Sequence, residues 1–114
     1  MKQTEILLTI KLHQELFIDR KRVRLLKEIK ECGSINQAAK NAKVSYKSAW
    51  DHLEAMNKIS PKPLLERNIG GKNGGGTSLT TYAERLLQLY DLLEQTQEHA
   101  FHILQDETIP LNSL

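Results

Sequence analysis

Apolar side chains recur along this chain with more than one period, and each period predicts a different element. Between Glu5 and Leu12 they roughly alternate, with Ile6, Leu8, Ile10 and Leu12 on one face, which predicts a short strand. From Arg20 the spacing becomes helical: Val23, Leu26 and Ile29 share a face, with Leu25 beside it. Asp19 stands where that helix needs an N-cap, and Gly33 ends it as a residue able to take positive φ. Ser34 and Gln37 then read as a capping box, opening a short helix to about Ala42. After a tight break, Ser45 caps a further helix that runs to about Ile59, where Ser60, Pro61, Lys62 and Pro63 stop it. Ala49, Leu53 and Met56 form its inward stripe, and Ala38 and Ala39 are small where the two helices must cross closely. Two short helices joined by so brief a turn predict a helix-turn-helix.

Two short strands, Leu64 to Asn68 and Thr77 to Thr80, bracket the segment from Gly70 to Gly76, in which five of seven residues are glycine. Strand, glycine-rich tip and strand predict a β-hairpin, and a hairpin placed directly after a helix-turn-helix is a wing. Residues 81–105 predict the longest helix, with Thr81 and Glu84 as a second capping box. Tyr82, Leu86, Leu89, Leu93, Thr96, Ala100 and Ile103 advance alternately by four and three, a seam of heptad type that Leu87, Tyr90, Phe101 and Leu104 widen. About 25 residues at 1.5 Å each make a rod of roughly 37 Å. That is too long for the small domain in front of it to cover, so a second copy is the expected cover and a symmetric homodimer the expected assembly. Tyr82, Leu86, Leu89, Leu93, Ala100 and Ile103 are the candidate dimerisation residues. The rival arrangement folds the helix back on its own domain. The expected architecture is therefore mainly α with a small β component. A winged helix-turn-helix spans residues 1–80, a long C-terminal dimerisation helix spans 81–105, and a tail or start of a linker spans 106–114.

Composition narrows the class. The chain has 114 residues, 26% charged and 5% aromatic, which fits one small globular domain with an appended element. No apolar run is long enough to cross a bilayer, and no secretory signal is evident at the amino terminus. A single cysteine, Cys32, excludes an intrachain disulfide and fits a reducing cytoplasm, where it is expected to be a buried structural thiol. The net charge of +2 hides an asymmetry: residues 1–79 carry 15 basic and 8 acidic side chains, residues 80–114 one basic and 6 acidic. Such a front half is suited to a polyanion.

Candidate chemistry concentrates on the helix-turn-helix and the wing. The second helix of such a motif presents its N-terminal residues to base edges and phosphates, here Ser45, Tyr46, Lys47, Ser48 and Asp51, with Ser34 and Gln37 of the preceding helix as further candidates. Lys47 suits a phosphate or a guanine edge equally. Arg67, Lys72 and Asn73 lie on or near the wing, where glycines allow close approach to a phosphate or the minor groove. The glycines do not form a nucleotide-phosphate loop: Gly71 and Lys72 are followed by Asn73, and a strand rather than a helix comes next. Trp50, beside the inward stripe, is expected in the core or as support for the wing, ahead of the alternative of a base contact. Arg20, Lys21, Arg22 and Arg24 suit either a solvated face or phosphate contact. His99 and His102 could share a metal by spacing, but no third ligand is evident, so neither a metal nor catalysis is expected.

Several of these segments together resemble a known family. Glu5 to Leu12, Gly33 to Lys40, Ser45 to Asp51, the Gly70 to Gly76 wing and Arg85 to Leu93 look like the N-terminal domain of the ModE family of bacterial molybdate-responsive transcriptional regulators. The helix-turn-helix resembles the LysR-type regulators more distantly. The resemblance runs nearly the whole chain, to Leu114. It implies a dimeric winged-helix regulator of promoter DNA at molybdate-transport and molybdoenzyme genes. In that family a following region of small β-barrel domains holds the oxyanion. This sequence stops where that region would begin, so no cofactor is expected in the chain itself, and sensing would fall to an absent C-terminal region or a separate chain. Lys43 departs from the pattern, standing at the turn position where such motifs place glycine. A lysine forced to positive φ there would cost about 1 kcal/mol.

Two functions compete. The first is a dimeric, sequence-specific binder of double-stranded promoter DNA. The second is a protein-interaction adaptor whose long helix pairs with a partner while the winged unit only scaffolds.

Overall fold

The computed structural model describes residues 6–68 and 76–107. Element order is β1 (Ile10–Leu12), β2 (Glu15–Ile18), α1 (Arg20–Cys32), α2 (Ile35–Asn41), α3 (Tyr46–Ile59), β3 (Leu65–Asn68), β4 (Gly76–Leu79) and α4 (Thr81–Glu107). The two antiparallel pairs, β1 with β2 and β3 with β4, are separate sheets. A mainly helical winged helix-turn-helix carrying a long C-terminal helix is thus the observed architecture.

The amino-terminal strand is shorter than the alternation predicts, and it has a partner that the pattern does not reveal. Leu12 pairs with Glu15 across a two-residue turn, and both turn residues, His13 and Gln14, have positive φ (52° and 67°). Positive φ at both central positions matches the right-handed twist of a hairpin but ordinarily selects Asn-Gly or Asp-Gly. His-Gln carries no such signal, so the hairpin is silent in the sequence. The register slips between Ile10 and Lys11, leaving Phe17 as an extra residue between the partners Leu16 and Ile18. A bulge interrupts the alternation of faces, and Phe17 and Ile18, although adjacent, are both buried.

The helix caps are those the side chains dictate, with two corrections. Asp19 accepts from Arg22 N at 2.9 Å, Ser34 from Gln37 N at 3.2 Å and Ser45 from Ser48 N at 3.0 Å. Gln37, however, does not close a capping box: its amide donates along the helix to Asn41 Oδ1 at 2.9 Å. At α4 the cap is Thr80 rather than Thr81. Thr80 Oγ1 accepts from Ala83 N and donates to Pro63 O, and Glu84 turns instead toward Lys30 at 3.8 Å. Between α2 and α3, Lys43 does take positive φ, 59°. Val44 N donates to Ala39 O and Lys43 N to Lys40 O, the paired bonds of a Schellman ending with lysine in glycine's place.

One core joins all these elements. Val23, Leu25, Leu26 and Ile29 of α1 meet Ala38 and Ala39 of α2 and Ala49, Leu53 and Met56 of α3. Ala83, Leu86, Leu87 and Tyr90 bring the first half of α4 into the same cluster. Leu86, assigned by its heptad position to a dimer seam, therefore faces its own domain, and Tyr82 is half-buried against it. Tyr90 Oη donates to Leu8 O at 3.1 Å, tying the amino-terminal segment to α4. Burial and the neighbouring Glu94 push that phenol up to about 12. Three exposed ion pairs run antiparallel along α1 and α4: Arg20 with Glu94 (3.8 Å), Lys27 with Asp91 (2.8 Å) and Lys30 with Glu84 (3.8 Å). Past this contact α4 overhangs, and the molecule measures 58 × 30 × 22 Å.

Candidate nucleic-acid interface

The candidate surface is assembled where α2, α3 and the wing converge. Gly33 is the pivot. Its φ of 69° ends α1, and its carbonyl accepts from Thr77 N at 2.9 Å, fastening β4 to the corner before α2. The approach is so close that a Cβ on Gly76 would lie 3.0 Å from that carbonyl oxygen. Asn57 Oδ1 accepts from Leu64 N at 2.8 Å and Thr80 N donates to Leu64 O at 3.0 Å, so the base of the wing is also stapled to α3 and to the start of α4.

These fastenings place several of the sequence-predicted residues around one shallow concavity. Ser34, Tyr46 and Arg67 line it, together with Asn36, Asn68, Gly76 and Thr77. Asn36 and Asn68, both exposed, were not singled out by sequence, because an exposed asparagine carries no signal until its neighbours are known. Ser45, Lys47 and Asp51 are exposed on α3, and Ser48 is half-buried beside them. Lys47 Nζ lies 3.1 Å from Asp51 Oδ2, one turn away. At such exposure an ion pair contributes roughly 0–1 kcal/mol, so a phosphate could recruit the lysine at small cost. Gln37 is exposed but engaged with Asn41, which donates to Glu28 Oε2 at 2.9 Å. Lys72 and Asn73 lie outside the described residues.

Other placements differ from expectation. Trp50 is not a core residue: it is 37% exposed, on α3 one turn after Tyr46, which is 52% exposed. Arg22 belongs to neither a solvated nor a phosphate-contacting face. It is buried, donating from Nη1 to Leu16 O (2.7 Å) and Phe17 O (3.1 Å) and from Nε to His52 Nδ1 (3.1 Å). Burial, then the charges of Arg22 and Lys21, hold His52 below its ordinary pKa, so the imidazole accepts as a neutral ring. This guanidinium locks the amino-terminal hairpin to α3. A basic residue in a basic run, Arg22 could have been separated from Arg20, Lys21 and Arg24 only by its helical position beside Val23 and Leu26. Arg24 donates to Asn41 O at 3.0 Å at the end of α2. Cys32 is half-buried, its thiol donating to Glu28 O. His99 and His102 are exposed, and among the described residues no three His, Cys, Asp or Glu side chains gather as they would for a metal.

Residues 20–84, α1 through the first turn of α4, match the bacterial regulatory helix-turn-helix proteins of the LysR family. The chain belongs to that family. This LysR-family unit is also similar to longer proteins. It is 89% identical over 114 residues to the transcriptional regulator ModE of Haemophilus influenzae, covering the whole of this chain and 45% of that protein. It is 58% identical over 113 residues to the DNA-binding transcriptional dual regulator ModE of Escherichia coli, covering 98% of this chain and 43% of that one. To the molybdenum transport protein ModE of Azotobacter vinelandii it is 46% identical over 85 residues, 75% of this chain and 32% of the other. The chain thus spans less than half the length of these relatives. Among the described residues no helix is long and apolar enough to cross a membrane.

Proposed function

We propose that this chain is the promoter-reading and self-associating part of a bacterial transcriptional regulator linked to molybdenum. The observation that carries the reading is the fastening of the wing to the helix-turn-helix. Thr77 N on Gly33 O holds Arg67 and the N-terminal end of α3 around one open surface. The N-terminal end of α3 offers hydroxyls, a lysine and an aromatic ring, the groups that suit base edges and phosphates in the major groove. The relatives named as DNA-binding and transcriptional regulators support the promoter, and the one named for molybdenum transport supports the regulon.

Self-association is supported by the far side of α4. Leu89, Leu92, Leu93, Ile103 and Leu104 are exposed, with Ala100 among them, on the face turned away from the domain. Two copies facing each other would cover ten such large side chains. About half of each is already covered, so burying the remainder contributes roughly 7–15 kcal/mol over the pair, enough to offset an association cost of roughly 4–15 kcal/mol. The same stripe could pair with a different chain, as in the adaptor reading, but that reading leaves the open end of α3 without a use.

We place any molybdate response outside residues 1–114. The ModE relatives run to more than twice this chain's length, which supports placing the response in the part of them that it does not cover. Gel-shift titration with two copies of different mass tests all three parts. The expected result is a mixed complex of intermediate mobility on one duplex, strong weakening with salt, and no effect of added molybdate. The absence of a mixed complex refutes the dimer, salt-indifferent binding refutes phosphate contact, and a molybdate-dependent shift refutes the placement of sensing.

A further inference from the structure

We propose that Trp50 is a specificity-determining residue whose indole reads thymine through its 5-methyl group. This rests on the promoter-reading proposal and adds a side chain and a base to it.

Three observations converge. The inward stripe of α3 is Ala49, Leu53 and Met56, all buried, and Trp50 lies outside it with more than a third of its surface in water. A large aromatic side chain left in this state gains by burial against a partner. The partner's direction follows from Tyr46. Residues four apart on a helix are neighbours, and Tyr46 lines the concavity with Ser34 and Arg67. Trp50 therefore continues the flank of α3 that faces the wing. It is also the fifth residue of α3, within the N-terminal part that a helix-turn-helix presents to base edges. Finally, Lys47 and Asp51, the neighbours best able to read hydrogen-bonding edges, already face each other at 3.1 Å. Beside the hydroxyls and the lysine, this end of α3 offers the exposed apolar surface of Trp50. In the major groove the apolar feature that distinguishes one base is the thymine methyl.

The experiment uses the intact chain and the duplex that it prefers in selection from random DNA. Each thymine of the site is replaced in turn by uracil, which removes only the methyl. One such exchange in each half-site should weaken wild-type binding about fourfold, the value of one buried methyl at ~0.8 kcal/mol. The same exchange should leave Trp50→Ala unaffected, with Trp50→Phe between the two. Because Trp50 is the only tryptophan in the chain, its emission gives a second readout that needs no variant. Acrylamide quenching should fall on the preferred duplex and not on an unrelated one at equal occupancy. If the uracil exchanges weaken Trp50→Ala as much as wild type, or the indole stays equally quenchable on the preferred site, the assignment of Trp50 is overturned while promoter reading stands. If selection yields no preferred duplex, both are overturned.

Discussion

A guanidinium buried where the amino-terminal hairpin meets α3 must find acceptors, and Arg22 finds three: two carbonyls of β2 and the unprotonated nitrogen of His52. Protonating His52 would replace its acceptor with a donor and set two cations together. Burial first, and then the charge of Arg22, therefore hold this imidazole below its ordinary value of 6.5. Above that value both folded and unfolded chains are neutral here and stability does not depend on the group. As pH falls through it, the unfolded chain takes up the proton first and stability is lost until the lower folded pKa is passed. His52→Gln keeps an acceptor but cannot titrate. Thermal melts from about pH 7 to 5 should show the wild-type midpoint falling more than that of His52→Gln, and parallel curves would contradict the network. Lys43 makes the opposite case, a strained residue at the end of α2. Lys43→Gly relieves a left-handed lysine worth about 1–2 kcal/mol but loosens the unfolded chain by roughly 0.4–1 kcal/mol. The expected outcome is a small rise in thermal midpoint, and a fall would show that the turn does not store that strain. The position was legible through the resemblance, because motifs of this kind place glycine there. Arg22 was not, because a basic run looks the same whether one member turns inward or none does.

Among the elements, α4 is the one whose reading the structure changed most. Its apolar residues fit a single seam of period 3.5, and the periodicity is real, but it serves two faces. Ala83, Leu86, Leu87 and Tyr90 enter the domain core, whereas Leu89, Leu92, Leu93, Ile103 and Leu104 face water. A wide apolar stripe in sequence does not say where one burial surface ends and another begins. That depends on where α1 packs, with Val23, Leu25, Leu26 and Ile29 in one core with Ala83, Leu86, Leu87 and Tyr90. The hairpin of β1 and β2 was invisible for a simpler reason: His13 and Gln14 occupy backbone conformations that their side chains do not advertise. The helix-turn-helix was legible almost to the residue, because caps, small crossing residues and the stop at Pro61 and Pro63 all agree. The two faces of α4 can be separated by mutation. Leu93→Asp should abolish dimers in sedimentation while leaving helical content intact. Leu87→Asp, which buries a carboxylate, should cost several kcal/mol of a stability that is typically about 5–15 and remove cooperative unfolding. Dimers that survive Leu93→Asp with unchanged concentration dependence would place the interface elsewhere.

Over the whole molecule, charge is used differently from the way the sequence suggested. Residues 1–79 hold most of the basic side chains, yet Arg20, Lys27 and Lys30 face acids of α4 and Arg22 is buried. The basic excess is therefore partly engaged in exposed pairs between α1 and α4, and Lys47 and Arg67 are the basic side chains among the candidate site residues that the structure describes. The proposed interface depends on shape as much as on field: a wing fastened to Gly33, an open helix end, and two exposed aromatic rings. Two such units joined through α4 would present their reading helices with a fixed separation. Selection of bound duplexes from random DNA at moderate salt tests this most directly. The account predicts a pseudo-palindromic site whose half-sites repeat at about 10–10.5 base pairs or a multiple of it. Enrichment of no sequence, or of a single unpaired half-site, would contradict it.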